Sequence, residues 1–174
     1  LIPNFVEFDG GAQNARIQAE ELAQEGEDVA IFTFAADIKP KNVRVLVMGM
    51  PKSLFWERIY RLLFPLDLIK TLRWLPKLKD FDLIIAYYYP LTWLAYLARK
   101  FYGVSYSFRY SGIMDPNLFS HLHERLYMRL HIFLTKLTVR NADHAVAVSR
   151  FAQEELKRNT GLDSKVIYDL IDTE

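Results

Sequence analysis

Residues 81–103 run FDLIIAYYYPLTWLAYLARKFYG, and the pattern changes period in the middle. Phe81 to Tyr88 is an apolar, largely branched and aromatic run of strand length. Pro90 has a fixed φ suited to a first helical position. Leu91, Leu94, Ala95, Ala98 and Phe101 then recur at three- and four-residue spacing, which predicts one apolar helix face, and Gly103 is placed to end it. A buried strand feeding an amphipathic helix is half of a crossover unit, the arrangement that builds parallel sheets.

The same rhythm repeats on both sides. Upstream, Leu1-Ile2 reads as the tail of a strand whose beginning is missing, and Gly10-Gly11 opens a helix with Ala12, Ala15, Ala19, Leu22 and Ala23 on one face, stopped at Gly26. Asp28 to Phe34 and Val43 to Met48 are strand runs, separated by a turn at Pro40 and Asn42. Downstream, Val104 to Phe108 is a strand and Pro116 to Arg140 one long helix or two. Ala145 to Val148 is a strand, Ser149 to Gly161 a helix, and Lys165 to Tyr168 a short strand. The expected fold is α/β: a doubly wound, mostly parallel sheet of six to seven strands with helices on both faces. Ligands on such sheets bind where loops leave the carboxyl ends of strands. The loops after the first strand, Tyr88, Phe108, Val148 and Tyr168 are therefore the candidate site.

Composition narrows the classes. At 174 residues, 51% hydrophobic and 25% charged, the chain is a single globular domain rather than a disordered segment. A net charge of +1 gives no field that argues for nucleic acid as a partner. With no cysteine, disulfides, thiolate nucleophiles and cysteine-based zinc sites are excluded. No stretch reaches the roughly 18 apolar residues of a spanning helix.

Within the first loop, Gly10 and Gly11 permit close backbone approach, and the helix terminus presents free N–H groups to an anion. A tight turn is the other reading. The dinucleotide fingerprint and the phosphate-loop ending are both absent, against a nicotinamide dehydrogenase or a P-loop enzyme. Tyr87, Tyr88 and Tyr89 end a strand on the ligand side, where an aromatic ring offers an apolar face and a hydroxyl; at least one of them is expected to pack under a helix instead. Arg109 and Tyr110 follow the next strand, and Arg109 suits bidentate contact with phosphate or carboxylate. Ser149 reads as a helix N-cap, with contact to a ligand phosphate at that helix end as a second reading. His121 and His123, two apart, are expected to point to different sides of a helix, and no metal site is expected.

Residues 52–79, KSLFWERIYRLLFPLDLIKTLRWLPKLK, set seven cations against two carboxylates. Basic residues interleaved with Trp, Phe and Leu describe an interfacial helix drawn to anionic lipid. The expected contacts are Trp56, Arg58, Arg61, Arg73 and Trp74, on two short helices broken at Pro65 and Pro76. A helix packed on the sheet with a solvated basic face is the alternative.

Five phrases, in order, resemble group 1 glycosyltransferases, glycosyltransferase family 4. These are Gly10-Gly11 running into Leu22-Ala23-Gln24-Glu25-Gly26-Glu27-Asp28-Val29, then Asp80 to Ala86, then Ala95 to Val104. The last two are Ala142-Asp143-His144-Ala145-Val146-Ala147-Val148-Ser149 with its continuation to Leu156, and Lys165 to Asp172. The resemblance implies a GT-B enzyme: two Rossmann-like domains around a cleft, no metal and no cofactor, and a nucleotide-sugar donor as substrate. It implies that residues 1–174 are the amino-terminal, acceptor-side domain and that the donor-binding domain with its Glu-x7-Glu motif lies outside them. On this reading the fragment alone is inactive. Its partners are the companion domain, a sugar acceptor and an anionic membrane surface at the cytoplasmic face, where it would be peripheral. Gly10 and Gly11 would lie near the donor phosphates and the acceptor hydroxyl; Tyr88, Arg109, Tyr110 and Ser149 would line the acceptor side, with no general base assigned. Two features depart from the family: Phe108 to Gly112 lacks the His that often follows the fifth strand, and Tyr168-Asp169-Leu170 replaces the usual Pro-Asn-Gly. A nucleotide-sugar epimerase lobe, or a non-catalytic docking lobe of a split transferase, remains the alternative.

Overall fold

Strands and helices alternate throughout residues 1–112 and 114–168, which the computed structural model describes. In chain order they are β1 (Asn4–Phe5), α1 (Gly10–Gln24), β2 (Ala30–Thr33), β3 (Ala35–Ala36), β4 (Arg44–Val47), α2 (Leu54–Leu63) and α3 (Leu68–Trp74). There follow β5 (Leu83–Ala86), α4 (Leu91–Tyr102), β6 (Ser105–Tyr110), α5 (Leu122–Val139), β7 (His144–Ala147), α6 (Arg150–Thr160) and β8 (Lys165–Val166). Single 3-10 turns at Phe64–Leu66 and Leu75–Leu78 fall at the two prolines that break residues 52–79.

Every ladder among the described residues is parallel, as the strand–helix rhythm requires. The expectation of one sheet of six to seven strands is corrected. The ladders are β1–β3, β2–β4 and β5–β6–β7–β8, so the largest among the described residues has four strands. Residues 1–3 lie between β2 and β5 and bond to both. The Ile2 N–H donates to Phe32 O at 3.1 Å and the Phe34 N–H to Pro3 O at 3.0 Å, while the Tyr87 N–H donates to Leu1 O at 3.0 Å. Pro3 has no N–H to give, so these bonds join the ladders without completing a regular one.

Alternation along the strands divides the core. Ile31 and Tyr87 join Ala12, Ala15 and Ala19 of α1 in one cluster. Their neighbours Phe32 and Ala86 join a larger cluster with α4, α5 and α6. Side chains of period two point to opposite faces, so α1 covers one side of the sheet and α4 to α6 the other. The small α1 residues let that helix lie close to the strands. On α4, Leu91, Leu94, Ala95 and Ala98 are buried as the spacing predicts, but Phe101, at the last turn, is exposed. Gly103, at φ 73°, closes the helix with its N–H on Arg99 O.

Candidate functional site

Three loops leave the carboxyl ends of the strands on one side, and Tyr88 joins them. Its phenol oxygen is 2.5 Å from Ser111 Oγ, in the loop after β6. Its ring lies against two glycines. A β-carbon at Gly11 would stand 3.1 Å from Tyr88 Oη, and one at Gly112 would stand 3.1 Å from Tyr88 Cε1. The ring therefore fits because the opening of α1 and the loop after β6 both lack a side chain there. Of its neighbours, Tyr87 packs towards α1 and Tyr89 is buried, its hydroxyl donating to Leu62 O at 2.8 Å. Two of the three tyrosines thus serve packing, and the middle one borders the site.

At the head of α1, Asp9 Oδ1 accepts from the Gly11 N–H at 2.8 Å and the Ala12 N–H at 3.2 Å. The carboxylate satisfies donors that an anion would otherwise take. The terminus is capped from within, and Gly11 admits the Tyr88 ring. Gly10 has open space where a side chain would project.

Arg109 and Tyr110 are not surface groups. Arg109 is 7% exposed and reaches the α1 face. There the Gln18 amide, with its oxygen towards Arg109, accepts from Nη1 at 2.7 Å and Nη2 at 3.2 Å, and its nitrogen donates to Tyr87 Oη at 2.9 Å. Tyr110 faces the other way, 1% exposed, and its hydroxyl donates to Glu155 Oε2 at 2.5 Å. Burial first, then the Glu155 carboxylate, push the Tyr110 phenol far above its ordinary range. Glu155 Oε1 also accepts from the Met114 N–H at 3.1 Å, and Asn159 Nδ2 donates to Met114 O at 2.7 Å. Tyr110 thus holds the loop that carries Ser111 and Gly112, rather than lining its outer side. Ser149 caps α6, its Oγ accepting from the Ala152 N–H at 3.1 Å.

The sequence patterns do not single out Ser111, Gly112, Gln18 or Glu155 as site residues. Glu155 shares the buried face of α6 with Ala152 and Leu156, and a carboxylate on an apolar face is a signal that it has a partner. Gln18 gave none, because its role depends on strands distant in sequence.

A cavity of about 80 Å³ behind Tyr88 is lined by Tyr89, Phe108, Tyr110, Met114, His131 and Thr135, among others. A larger one, about 400 Å³, runs along α1 past Val29 and Asp80 towards the amino-terminal ends of β2 and β5, away from the loops where such sheets bind ligands. His121 and His123 do not diverge. His121 is the extended residue before α5 (φ −89°, ψ 138°), outside the helical period, so the two rings stack at 5.5 Å. Among the described residues no three or more His, Cys, Asp or Glu side chains gather as a metal site.

In residues 52–79, Trp56 is 58% exposed but Trp74 is 7% exposed, edge-on to Phe32 and covered by the Lys77 ammonium at 4.0 Å. Trp74 is a core residue, which corrects its place among the membrane contacts. Arg73 is exposed. Arg61 pairs with Glu57 at 2.6 Å and Arg58 with Glu124 of α5 at 3.7 Å. No helix among the described residues is long and apolar enough to cross a membrane.

Parallel ladders with helices on both sides, and loops from neighbouring strand ends meeting at Tyr88, make a Rossmann-like α/β unit of the kind that forms a GT-B lobe. The profile of Glycosyltransferase Family 4 matches residues 8–174, and the chain belongs to that family. HepE of Anabaena is a similar solved structure. In complex with UDP-glucose it is 14% identical with TM-score 0.66, over 98% of this chain and 44% of its own. In complex with UDP and glucose the values are 16%, 0.62, 98% and 45%. The lipopolysaccharide outer core galactosyltransferase WaaB, in its apo form, is 17% identical with TM-score 0.52, over 100% of this chain and 47% of its own. The chain thus spans less than half the length of these structures. No curated protein matches its sequence. Residues 169–174, which include Asp169 and Leu170 of the departure from Pro-Asn-Gly and the end of the fifth phrase, lie outside the described residues.

Proposed function

We propose that this chain is the acceptor-side lobe of a glycosyltransferase that moves a sugar from a nucleotide-sugar donor to a glycan or lipid-linked acceptor. The observation that carries the reading is the Tyr88–Ser111 pair seated between Gly11 and Gly112, in a family 4 chain. Two adjacent hydroxyls on an aromatic wall suit a sugar: the ring offers an apolar face and the oxygens both donate and accept. Gly10 is the open approach for the donor, because Asp9 already takes the N–H groups of Gly11 and Ala12. Arg109 and Tyr110 act from behind, fixing α1 and, through Glu155, Met114 beside the site, and Ser149 sets the head of α6 at the same end of the sheet.

The donor-binding companion domain lies in the remaining part of the protein, and transfer proceeds without a metal. HepE was solved with UDP-glucose, which supports a nucleoside diphosphate sugar as the donor class. Trp56, Arg58 and Arg73, on residues 52–79, face a membrane at the cytoplasmic side.

The test is nucleotide release by the intact protein, offered mixed sugar nucleotides and candidate acceptors. Tyr88→Phe and Ser111→Ala should raise the acceptor KM more than they lower stability. Absence of acceptor-dependent release with every donor, or a parent reading frame encoding no second Rossmann-like unit, would overturn the reading.

A further inference from the structure

The outer face of α5 is apolar where a solvated helix would be polar. Leu122, Leu126, Leu130, Phe133 and Leu137 recur at four- and three-residue spacing, so they fall along one line of the helix. All five are exposed, Leu122 at 79% and Leu126 at 65%. The opposite face, with Thr135, Thr138 and Val139, is the buried one. Scattered single leucines on a surface are ordinary, but a continuous line of five along an 18-residue helix is not.

The charges beside the line have one sign. Arg125, Arg129 and Lys136 each precede a stripe residue by one position and so border one edge of it; Arg140 follows the helix, and all four are exposed. Glu124, the sole carboxylate of α5, is engaged by Arg58 of α2. That ion pair holds the first turn of α5 near α2 from the side opposite the stripe, and α2 exposes Leu54, Phe55 and Trp56 of its own.

We infer that the outer face of α5 docks on an anionic lipid surface. The inference deepens the membrane reading proposed for residues 52–79 and rests on it. Charge complementarity selects the occupant. A line of Leu and Phe reaches the acyl boundary while cations along its edge meet headgroup phosphates. The helix, about 27 Å long by its rise per residue, lies in the plane of the surface rather than across it.

The experiment is sedimentation of the intact protein with vesicles of phosphatidylcholine alone or mixed with phosphatidylglycerol, at low and high salt. Three paired variants are compared: Leu126→Gln with Phe133→Gln, Arg129→Glu with Lys136→Glu, and Phe55→Gln with Trp56→Gln. All replace exposed groups, and unchanged thermal midpoints verify that they fold. The wild type should bind phosphatidylglycerol vesicles in a salt-sensitive way, and each α5 pair should bind about tenfold more weakly. Transfer to a soluble acceptor should be unchanged. If the α5 pairs bind like wild type while the Phe55 and Trp56 pair is released, the α5 inference falls and docking through residues 52–79 stands. If the wild type binds no vesicle, both fall while the transferase reading survives. Should the α5 pairs instead alter self-association, or should α5 amides be protected from exchange by the rest of the protein, the stripe has another occupant and the inference is overturned.

Discussion

The Tyr88 ring lies against Gly112, with no side chain between them. An added β-carbon would stand 3.1 Å from Tyr88 Cε1, closer than ordinary contact, so the ring would have to give way. Gly112→Ala is therefore expected to destabilise the protein by about 1 kcal/mol with Tyr88 present. In a Tyr88→Ala background it should be neutral or slightly stabilising, since Ala restrains the unfolded chain. Urea denaturation of the four proteins of this double-mutant cycle checks it. A coupling near zero would show that the ring moves aside freely.

The pairing of Tyr110 with Glu155 makes a separate prediction. Tyr110→Phe leaves a buried carboxylate with the Met114 N–H and without its phenol donor. A loss of about 1–3 kcal/mol is expected. Because Glu155 also holds the Met114 N–H, two residues after Gly112, the acceptor KM should rise in the same variant. A stability loss below about 0.5 kcal/mol would mean that the carboxylate finds other solvation on losing the phenol.

These two relationships also mark where the sequence was and was not legible. The period change within residues 81–103 revealed the β5–α4 unit, because helix and strand periodicities are local properties of the chain. Gly103 and Gly26 likewise ended their helices at positive φ, as glycines after an apolar face should. What failed was orientation across the sheet. Arg109 and Tyr110 are adjacent in β6 and point to opposite faces, so they could not both line one cleft wall, and the pleat buries each against a helix that the sequence does not pair with it. Trp74 was placed on the basic face by composition, whereas its position on the last turn of α3 sends it into the core. The meeting of Tyr88, Ser111 and Gly112 spans two loops, and no spacing rule encodes it.

Ser149 tests whether a cap is all that its hydroxyl supplies. Ser149→Ala should cost about 1 kcal/mol through the freed Ala152 N–H, and Ser149→Asn, which can cap, should restore most of it. With stability restored, kcat/KM of the intact protein should return with it. A Ser149→Asn variant that is stable but impaired in acceptor KM would assign the hydroxyl an acceptor contact as well.

The last prediction concerns acid. His131 is held on α5 between the Tyr89 ring, edge-on at 5.5 Å, and the Tyr127 ring, stacked at 6.2 Å. Burial lowers its pKa from 6.5 to about 4; a backbone hydrogen bond at Tyr89 opposes this and the Arg61 cation adds to it. The folded form keeps the imidazole neutral where the unfolded chain would protonate it, so the unfolded state binds more protons between these values. His131 therefore contributes stability that is fully present above pH 6.5, declines as the pH falls from 6.5 to about 4, and changes no further below that. The thermal midpoint should drop between pH 7.5 and 4.5, and His131→Leu should flatten that drop relative to wild type. Nuclear magnetic resonance titration of the ring gives the direct check. An imidazole titrating near 6.5 in the folded protein would show that water reaches it and that the acid sensitivity originates elsewhere.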